Sequence, residues 1–461
     1  MSELHINEDL IKKYDQPGPR YTSYPPANFF QPNFNKETFI RLVEASNQQS
    51  PRNISFYFHV PFCPQLCNFC GCNSELIRDK ATNDRYFSAL KKEFLAVASL
   101  LDHTRPVSQI HWGGGTPNGV PFHYIAEMME TVRSHFSLSH DVEIAMECNP
   151  AYLSTKQMAE LADMGFNRIS LGIQDFHPTV LDIIHRKPSR LPMDEIVQTL
   201  HDHQMQVNLD FVYGLPAQEV TQFQETIRQA IRLNPERIVT FSYAHVPWVK
   251  SAQKSLEQYH LPSTGEKLSL FQAAYHLLTD AGYVPIGLDH FAKPNDELTK
   301  ALTNKTLHRN FMGYCTRHHA GQVYAFGVSS ITQLENAYIQ NNKNTDEYMA
   351  AVAQWDVAPE KGYQLSEQDK ICRQVIEQLM CNQFVDLEQT AKSLDLTYNE
   401  LMAITRFSEE KLQPMISDGF VLWENHQLTV STEGKMILRN VAMLFDPLLN
   451  PSSSMRYSRT V

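Results

Sequence analysis

Three cysteines stand close together in Cys63-Pro64-Gln65-Leu66-Cys67-Asn68-Phe69-Cys70. Thiolates are soft ligands, suited to iron–sulfur clusters or to zinc. Three near ligands with no evident fourth suit a four-iron cluster with one iron left open. Structural zinc sites more often pair two short cysteine or histidine motifs, and no second motif is found. The spacing favours a cluster, with zinc as the alternative. Cys72 follows Cys70 across Gly71, so its thiol can approach the same place. A fourth thiolate on the open iron would compete with any other ligand there. Cys72 is therefore expected beside the reaction centre, as a catalytic residue and not a resting ligand. Other chemistry-bearing residues end short apolar runs. In Gly113-Gly114-Gly115-Thr116, backbone without side chains can approach a ligand and offer its polar groups, although a tight turn would use the same residues. Glu147 can accept hydrogen bonds from a ribose or an ammonium group; buried without such a partner it would be costly. Tyr57 shares a strand face with Ser55 and His59, and taken alone reads as a core aromatic.

Positioning these residues falls to a repeated unit. Between about residues 54 and 290, β-branched and aromatic runs (Ile54–Val60, Gln109–Trp112, Glu143–Glu147, Arg168–Ile173, Val207–Val212, Ile238–Tyr243, Val284–Leu288) alternate with helix-period segments. Phe87, Leu90, Phe94 and Leu95 illustrate the helical spacing. Strand–helix repeats imply a parallel sheet with right-handed crossovers, a barrel or a doubly wound sheet. No GxGxxG follows the first strand, so a full or partial barrel is favoured. The candidate motifs all fall where strands end, as functional residues do in barrels. Farther on, Ser366 with Asp369 resembles a helix cap, and Glu424-Asn425-His426 can turn a hairpin. Residues 366–435 thus resemble a winged-helix module, with too little basic charge to favour DNA.

The 461 residues exceed one ordinary domain, and 42% hydrophobic with 20% charged residues is a globular balance. A formal net charge of -11 argues against nonspecific nucleic-acid or anionic-membrane binding. No apolar run is long enough to span a bilayer, and Met1–Gln16 has no signal-peptide character, so a cytoplasmic location is expected. Cys148, Cys315, Cys372 and Cys381 are expected to be small buried side chains.

The three-cysteine loop, with an aromatic residue before its last cysteine, resembles the signature of radical S-adenosylmethionine enzymes. Further segments narrow the likeness: Pro19-Arg20-Tyr21-Thr22-Ser23-Tyr24-Pro25, Cys70-Gly71-Cys72-Asn73, His111-Trp112-Gly113-Gly114-Gly115-Thr116-Pro117, Tyr213-Gly214-Leu215-Pro216 and His308-Arg309-Asn310-Phe311. Together they resemble the oxygen-independent coproporphyrinogen III oxidases. That resemblance implies an α/β fold: a partial (βα) barrel of the radical SAM type over residues 46–360. A 1–45 extension would pack on the active site, and a mainly helical, winged-helix-like domain would occupy 361–461. It implies a [4Fe-4S] cluster on Cys63, Cys67 and Cys70, and two S-adenosylmethionine molecules. The first would be contacted by Tyr57, Gly114, Gly115, Thr116, Glu147 and Ile331; the second would be surrounded by Phe69, Gln174, Arg186, Asp210 and Ala244. Tyr57 would share the catalytic role with Cys72.

The implied partners are coproporphyrinogen III and an electron donor such as flavodoxin or ferredoxin, with a monomeric chain and no nucleic acid or membrane. Two propionates of the substrate would become vinyl groups, giving protoporphyrinogen IX. Arg20 and Arg309 are candidates for holding its carboxylates, because the guanidinium fork matches them. Cys315–Gly321 departs from the threonine-rich family pattern and is expected near the substrate entrance. The rival readings are a haem chaperone on the same barrel and another porphyrin-directed radical enzyme. The chaperone typically lacks the Cys-Gly-Cys extension and the tyrosine-rich amino-terminal segment present here.

Overall fold

A computed structural model describes residues 8–32, 34–316, 318–449 and 457–460. Residues 1–7 of the expected extension, Arg317 of the 315–321 loop, and residues 450–456 and 461 of the expected carboxy-terminal domain lie outside the described residues.

The repeated runs form the strands β1 (Ile54–Val60), β2 (Val107–Gly114), β3 (Leu138–Cys148), β4 (Arg168–Gln174), β5 (Gln206–Tyr213) and β6 (Arg237–Ser242), paired in parallel in chain order. Period-2 alternation turns Phe56, Phe58 and Val60 of β1 away from the concave face and buries them completely. Phe58 stacks on Trp112 at 4.6 Å, and Phe94 of the crossover helix Lys80–Ala98 meets Phe56 edge-on at 5.4 Å. Helices on the outside and polar side chains within are what a parallel sheet bent into a trough requires.

The seventh run departs from the expected repeat. β7 (Val284–Ile286) pairs antiparallel with β8 (His290–Ala292), which pairs antiparallel with β6. Only Gly287–Asp289 joins β7 to β8, and Gly287 has φ 59°. A turn this short makes a hairpin, whereas a parallel connection takes a dozen residues or more. At the opposite flank β9 (Gln322–Phe326) continues the parallel set beside β1, followed by antiparallel Ile331–Gln333, Ala337–Asn341, Pro359–Gln364 and Gln31–Pro32. The 13-stranded sheet therefore has two edges, Gln31–Pro32 and β7, and is a partial barrel. It runs four residues past the expected boundary at 360, because Pro359–Gln364 pairs with Ala337–Asn341.

Ser366 and Asp369 do form a capping box, at the start of helix Glu367–Asn382. Three short helices follow, and then the hairpin of Val421–Glu424 and Gln427–Val430. Asn425 and His426 turn it with φ 49° and 60°, the handedness a two-residue hairpin needs. The amino-terminal extension is split between two cores. Helix Lys36–Ser46 buries Phe39, Leu42 and Val43 in the barrel core, while Ile11, Tyr14, Tyr21 and Tyr24 are buried in the carboxy-terminal core. The Tyr21 and Tyr24 hydroxyls both donate to Asp446, at 2.8 and 3.0 Å. Gly18 N donates to Ser458 O at 3.1 Å, and Thr460 N to Gln16 O at 2.8 Å, so segments 16–18 and 458–460 lie side by side. Among the described residues no helix is long and apolar enough to cross a membrane.

Candidate active site

The trough encloses a cavity of about 370 Å³. Its walls include all four motif thiols (Cys63, Cys67, Cys70 and Cys72), Phe69, Gly114, Gly115, Thr116, Glu147, Gln174, Arg186 and Asp210. Twelve separated candidates thus meet in one space. Tyr57, Ala244 and Ile331 are not among its walls. Tyr57 stacks at 5.9 Å on His111, which is, and its hydroxyl bonds His59 Nδ1 at 3.0 Å. Ala244 is tied to the cysteine loop, since Gln253 Nε2 donates to Phe69 O at 2.8 Å and to Ala244 O at 3.3 Å. Ile331 pairs with Gln340 and packs on the Phe30–Tyr338 cluster.

The cysteine loop leaves β1 through Pro61 and is held by the end of β2. Gly115 N donates to Val60 O at 2.7 Å, Thr116 N to Phe62 O at 3.0 Å, and the Thr116 hydroxyl to Cys63 Sγ at 3.3 Å. A Cβ on Gly115 would stand 2.6 Å from Pro61 O and 3.0 Å from Cys63 Sγ, so only glycine allows this approach. Gly114 takes φ 115° beside the His59 ring, a second position closed to a side chain. Arg186 Nη1 lies 3.5 Å from Cys67 Sγ, and its other Nη donates to Gly172 O. Lys250 Nζ donates to Cys72 O at 2.6 Å.

Burial raises the Cys63 and Cys67 thiols, opposed by the Thr116 hydroxyl at Cys63 and by Arg186 at Cys67. Cys70 is lowered, because the Cys72 thiol and amide donate to it, and Cys72 is correspondingly raised. Cys72 N donates to Cys70 Sγ at 3.4 Å, so the two thiols share one hydrogen-bonded turn. Among the described residues Asp141, His318 and His319 bring three donor atoms within 4.8 Å of one another. The three loop thiols instead line the main cavity together, as soft ligands drawn from one short loop. The donor set fits a cluster.

Glu147 is fixed at both oxygens: His111 Nε2 is 3.1 Å from Oε1, and Gly114 N donates to Oε2 at 3.1 Å. Burial opposes its ionisation, but the His111 bond leads the contacts that hold it below the usual range. Asp210 is the opposite case. Burial pushes it up to about 6, against the Ser170 hydroxyl donating at 2.5 Å. The cavity floor is a buried ion network: Arg168 meets Glu143 at 2.8 Å and Glu297 at 3.0 Å, and Arg237 meets Asp296 at 3.0 Å and Glu297 at 2.7 Å.

Sequence reasoning passed over His111, Ser170, Lys250 and Gln253. His111 and Ser170 stood on inward-facing strand positions, a usable signal; Lys250 and Gln253 carry none beyond their types. Of the 315–321 loop, expected at the substrate entrance, Cys315 lines the main cavity, while His318 and His319 lie by the strand starts. Ser55 and Ser108, near the starts of β1 and β2, donate to His319 O at 3.3 and 2.8 Å, so this loop closes the far end of the barrel. His319 already engages Glu297 at 3.1 Å and Asp141 O at 3.0 Å.

Residues 57–230 match the model of the radical SAM superfamily. The chain is 38% identical to the oxygen-independent coproporphyrinogen III oxidase of Synechocystis sp., covering 99% of this chain and 98% of that protein. It is 36% identical to the enzyme of that name from Escherichia coli over 100% of both chains. The solved structure of coproporphyrinogen III oxidase (HemN) from Escherichia coli, described as a radical SAM enzyme, superposes with a TM-score of 0.88 at 35% identity. It covers 97% of this chain and 100% of that one. With its cluster loop, carboxylates and partial barrel joined in one cavity, the chain belongs to the oxygen-independent coproporphyrinogen III oxidases, within the radical SAM superfamily.

Proposed function

We propose that the chain converts two propionate side chains of coproporphyrinogen III into vinyl groups without oxygen, giving protoporphyrinogen IX. The observation that carries this reading is the meeting of Cys63, Cys67 and Cys70 with Glu147, Arg186 and Asp210 around one cavity, in a chain that matches enzymes of that name over their full length. Each conversion removes one hydrogen atom from the β-carbon of a propionate, one carbon dioxide and one electron. Cys63, Cys67 and Cys70 would hold a [4Fe-4S] cluster, which with S-adenosylmethionine would supply adenosyl-radical chemistry for removing that hydrogen atom. No protein nucleophile is needed.

The protein's part is to bind, orient and exclude solvent. Cys63, Cys67 and Cys70 hold the cluster, and Thr116 and Arg186 steady two of the thiolates. The Gly113–Thr116 backbone and Glu147 receive the first S-adenosylmethionine, with Tyr57 and Ile331 beyond them. A second molecule would be received by Phe69, Gln174, Arg186 and Asp210, which line the same cavity, with Ala244 tied to Phe69 through Gln253. Cys72 holds a proton beside the reacting carbon. An electron donor such as flavodoxin or ferredoxin serves a monomeric chain. The test is anaerobic incubation with coproporphyrinogen III, S-adenosylmethionine and a reductant, followed by mass analysis. Successive losses of two hydrogens with carbon dioxide are expected. Unchanged substrate, together with tight stoichiometric haem binding, would replace this reading by the chaperone one.

A further inference from the structure

A second cleft, of about 110 Å³, opens where the ends of β5 and β6 meet both chain termini. Arg20, Lys267, Arg309, Lys435 and Arg439 line it, drawn from four separate parts of the chain. None of the five has a carboxylate within 4.0 Å among the described residues. Arg20 and Lys435 make no side-chain hydrogen bond to any described residue. The Nη1 of Arg439 is buried with no hydrogen-bond partner among the described residues, while its Nη2 donates to Arg459 O at 2.6 Å. The carboxylates nearest in effect are engaged: Asp289 bonds His290 at 2.6 Å and Asp15 bonds Arg459 at 2.6 Å. Burial and the neighbouring cations hold Arg20, Lys267 and Arg439 below their ordinary values, Arg439 at about 10.

Five cations gathered with so few partners repel one another, at a cost that an anion removes. The cleft also joins the active site. Phe241 lines both spaces with its ring 39% exposed, and Arg309 lies 5.1 Å over the ring of Tyr314, a wall of the main cavity. A ligand with an apolar face and several carboxylates fits a cationic cleft set beside an exposed aromatic ring. We propose that this cleft anchors the propionates that are not reacting, so that Lys267, Lys435 and Arg439 join Arg20 and Arg309 in gripping the tetrapyrrole while another arm reaches the radical centre. The inference rests on the function proposed above and assigns its substrate contacts.

Coproporphyrin III, the stable fluorescent form of the ring, is the probe. Its Kd is measured by anaerobic fluorescence titration on the wild type and on Lys435→Gln and Arg20→Gln, neither of which orphans a described protein hydrogen bond. Each loss should weaken binding roughly tenfold, the size of one charge-assisted contact. Lys435→Arg should restore most of it, and added salt should shrink the gap. The variants should raise KM for coproporphyrinogen III much more than they lower kcat, because the anchor acts before and during the chemical step alike. Unaltered Kd in both glutamine variants, with wild-type conversion intact, overturns the cleft and leaves the function standing. A wild type that neither binds the porphyrin nor converts the porphyrinogen overturns both.

Discussion

Replacing Gly115 by alanine tests whether the end of β2 positions the cluster loop. The new Cβ would meet Pro61 O at 2.6 Å, Pro61 C at 2.8 Å and Cys63 Sγ at 3.0 Å. Two of these atoms are backbone and cannot rotate aside, so relief requires the two segments to part by several tenths of an ångström. That motion stretches the Gly115–Val60 and Thr116–Phe62 bonds and draws the Thr116 hydroxyl from Cys63 Sγ. Overpacking of this kind costs about 1–3 kcal/mol, borne by the loop that must present three thiolates together. The matched control is Gly71→Ala, whose Cβ meets nothing within 4 Å although it stands between Cys70 and Cys72. Both proteins are reconstituted without oxygen and assayed for iron, sulfide and reductive cleavage of S-adenosylmethionine. Gly115→Ala should hold less than half the wild-type iron and cleave correspondingly slowly, while Gly71→Ala stays near wild type. Full iron and normal cleavage in Gly115→Ala would refute the claim that this backbone approach fixes the loop.

Cys72→Ser should keep its cluster iron yet lose at least tenfold in vinyl formation; loss of iron would make Cys72 a ligand, and unchanged turnover would reduce it to packing. Equilibrium binding should give two S-adenosylmethionine molecules per wild-type chain, and Asp210→Ala should weaken one of them about tenfold; a single wild-type site refutes the assignment. Glu93, buried between Gly327 N at 2.9 Å, Tyr348 at 2.7 Å and Asn341 at 2.6 Å, is raised by burial from 4.5 to about 7. The folded carboxyl keeps its proton to about pH 7 while the unfolded chain loses it near 4.5, so stability present below pH 4.5 is lost as pH rises through 7. The difference approaches ~3 kcal/mol. Thermal unfolding from pH 5 to 8 should therefore show the wild type falling relative to Glu93→Gln; parallel curves would contradict the shift.

The strand–helix repeat was legible because β1 to β6 alternate buried apolar side chains with inward polar residues, a pattern that survives without coordinates. The site was legible where chemistry is concentrated in a short stretch, as in Cys63–Cys72 and Gly113–Thr116. Asp210 and Gln174 were reached through the resemblance, since an isolated acid or amide at a strand end has no local mark of its task. The five cations of the second cleft come from four distant segments, and charge alone does not tell Lys435 from any surface lysine. The reversal at β7 hung on a single turn, and the split of the amino-terminal extension depended on which of two cores its aromatics would enter. Contacts across such separations leave no periodicity to read.

The pairing of residues 16–18 with residues 458–460 has a consequence for how the protein is made. During synthesis the cluster thiols and the whole parallel sheet leave the ribosome long before residue 458. The segment carrying Arg20 must wait through some four hundred further residues for the carboxy-terminal segment that bonds residues 16–18. Until then one wall of the cationic cleft is missing, and a partly made chain cannot grip a tetracarboxylate whatever its barrel has already built. Order of translation thus sets an order of assembly: the parallel strands are all made before the last wall of the cleft can be added.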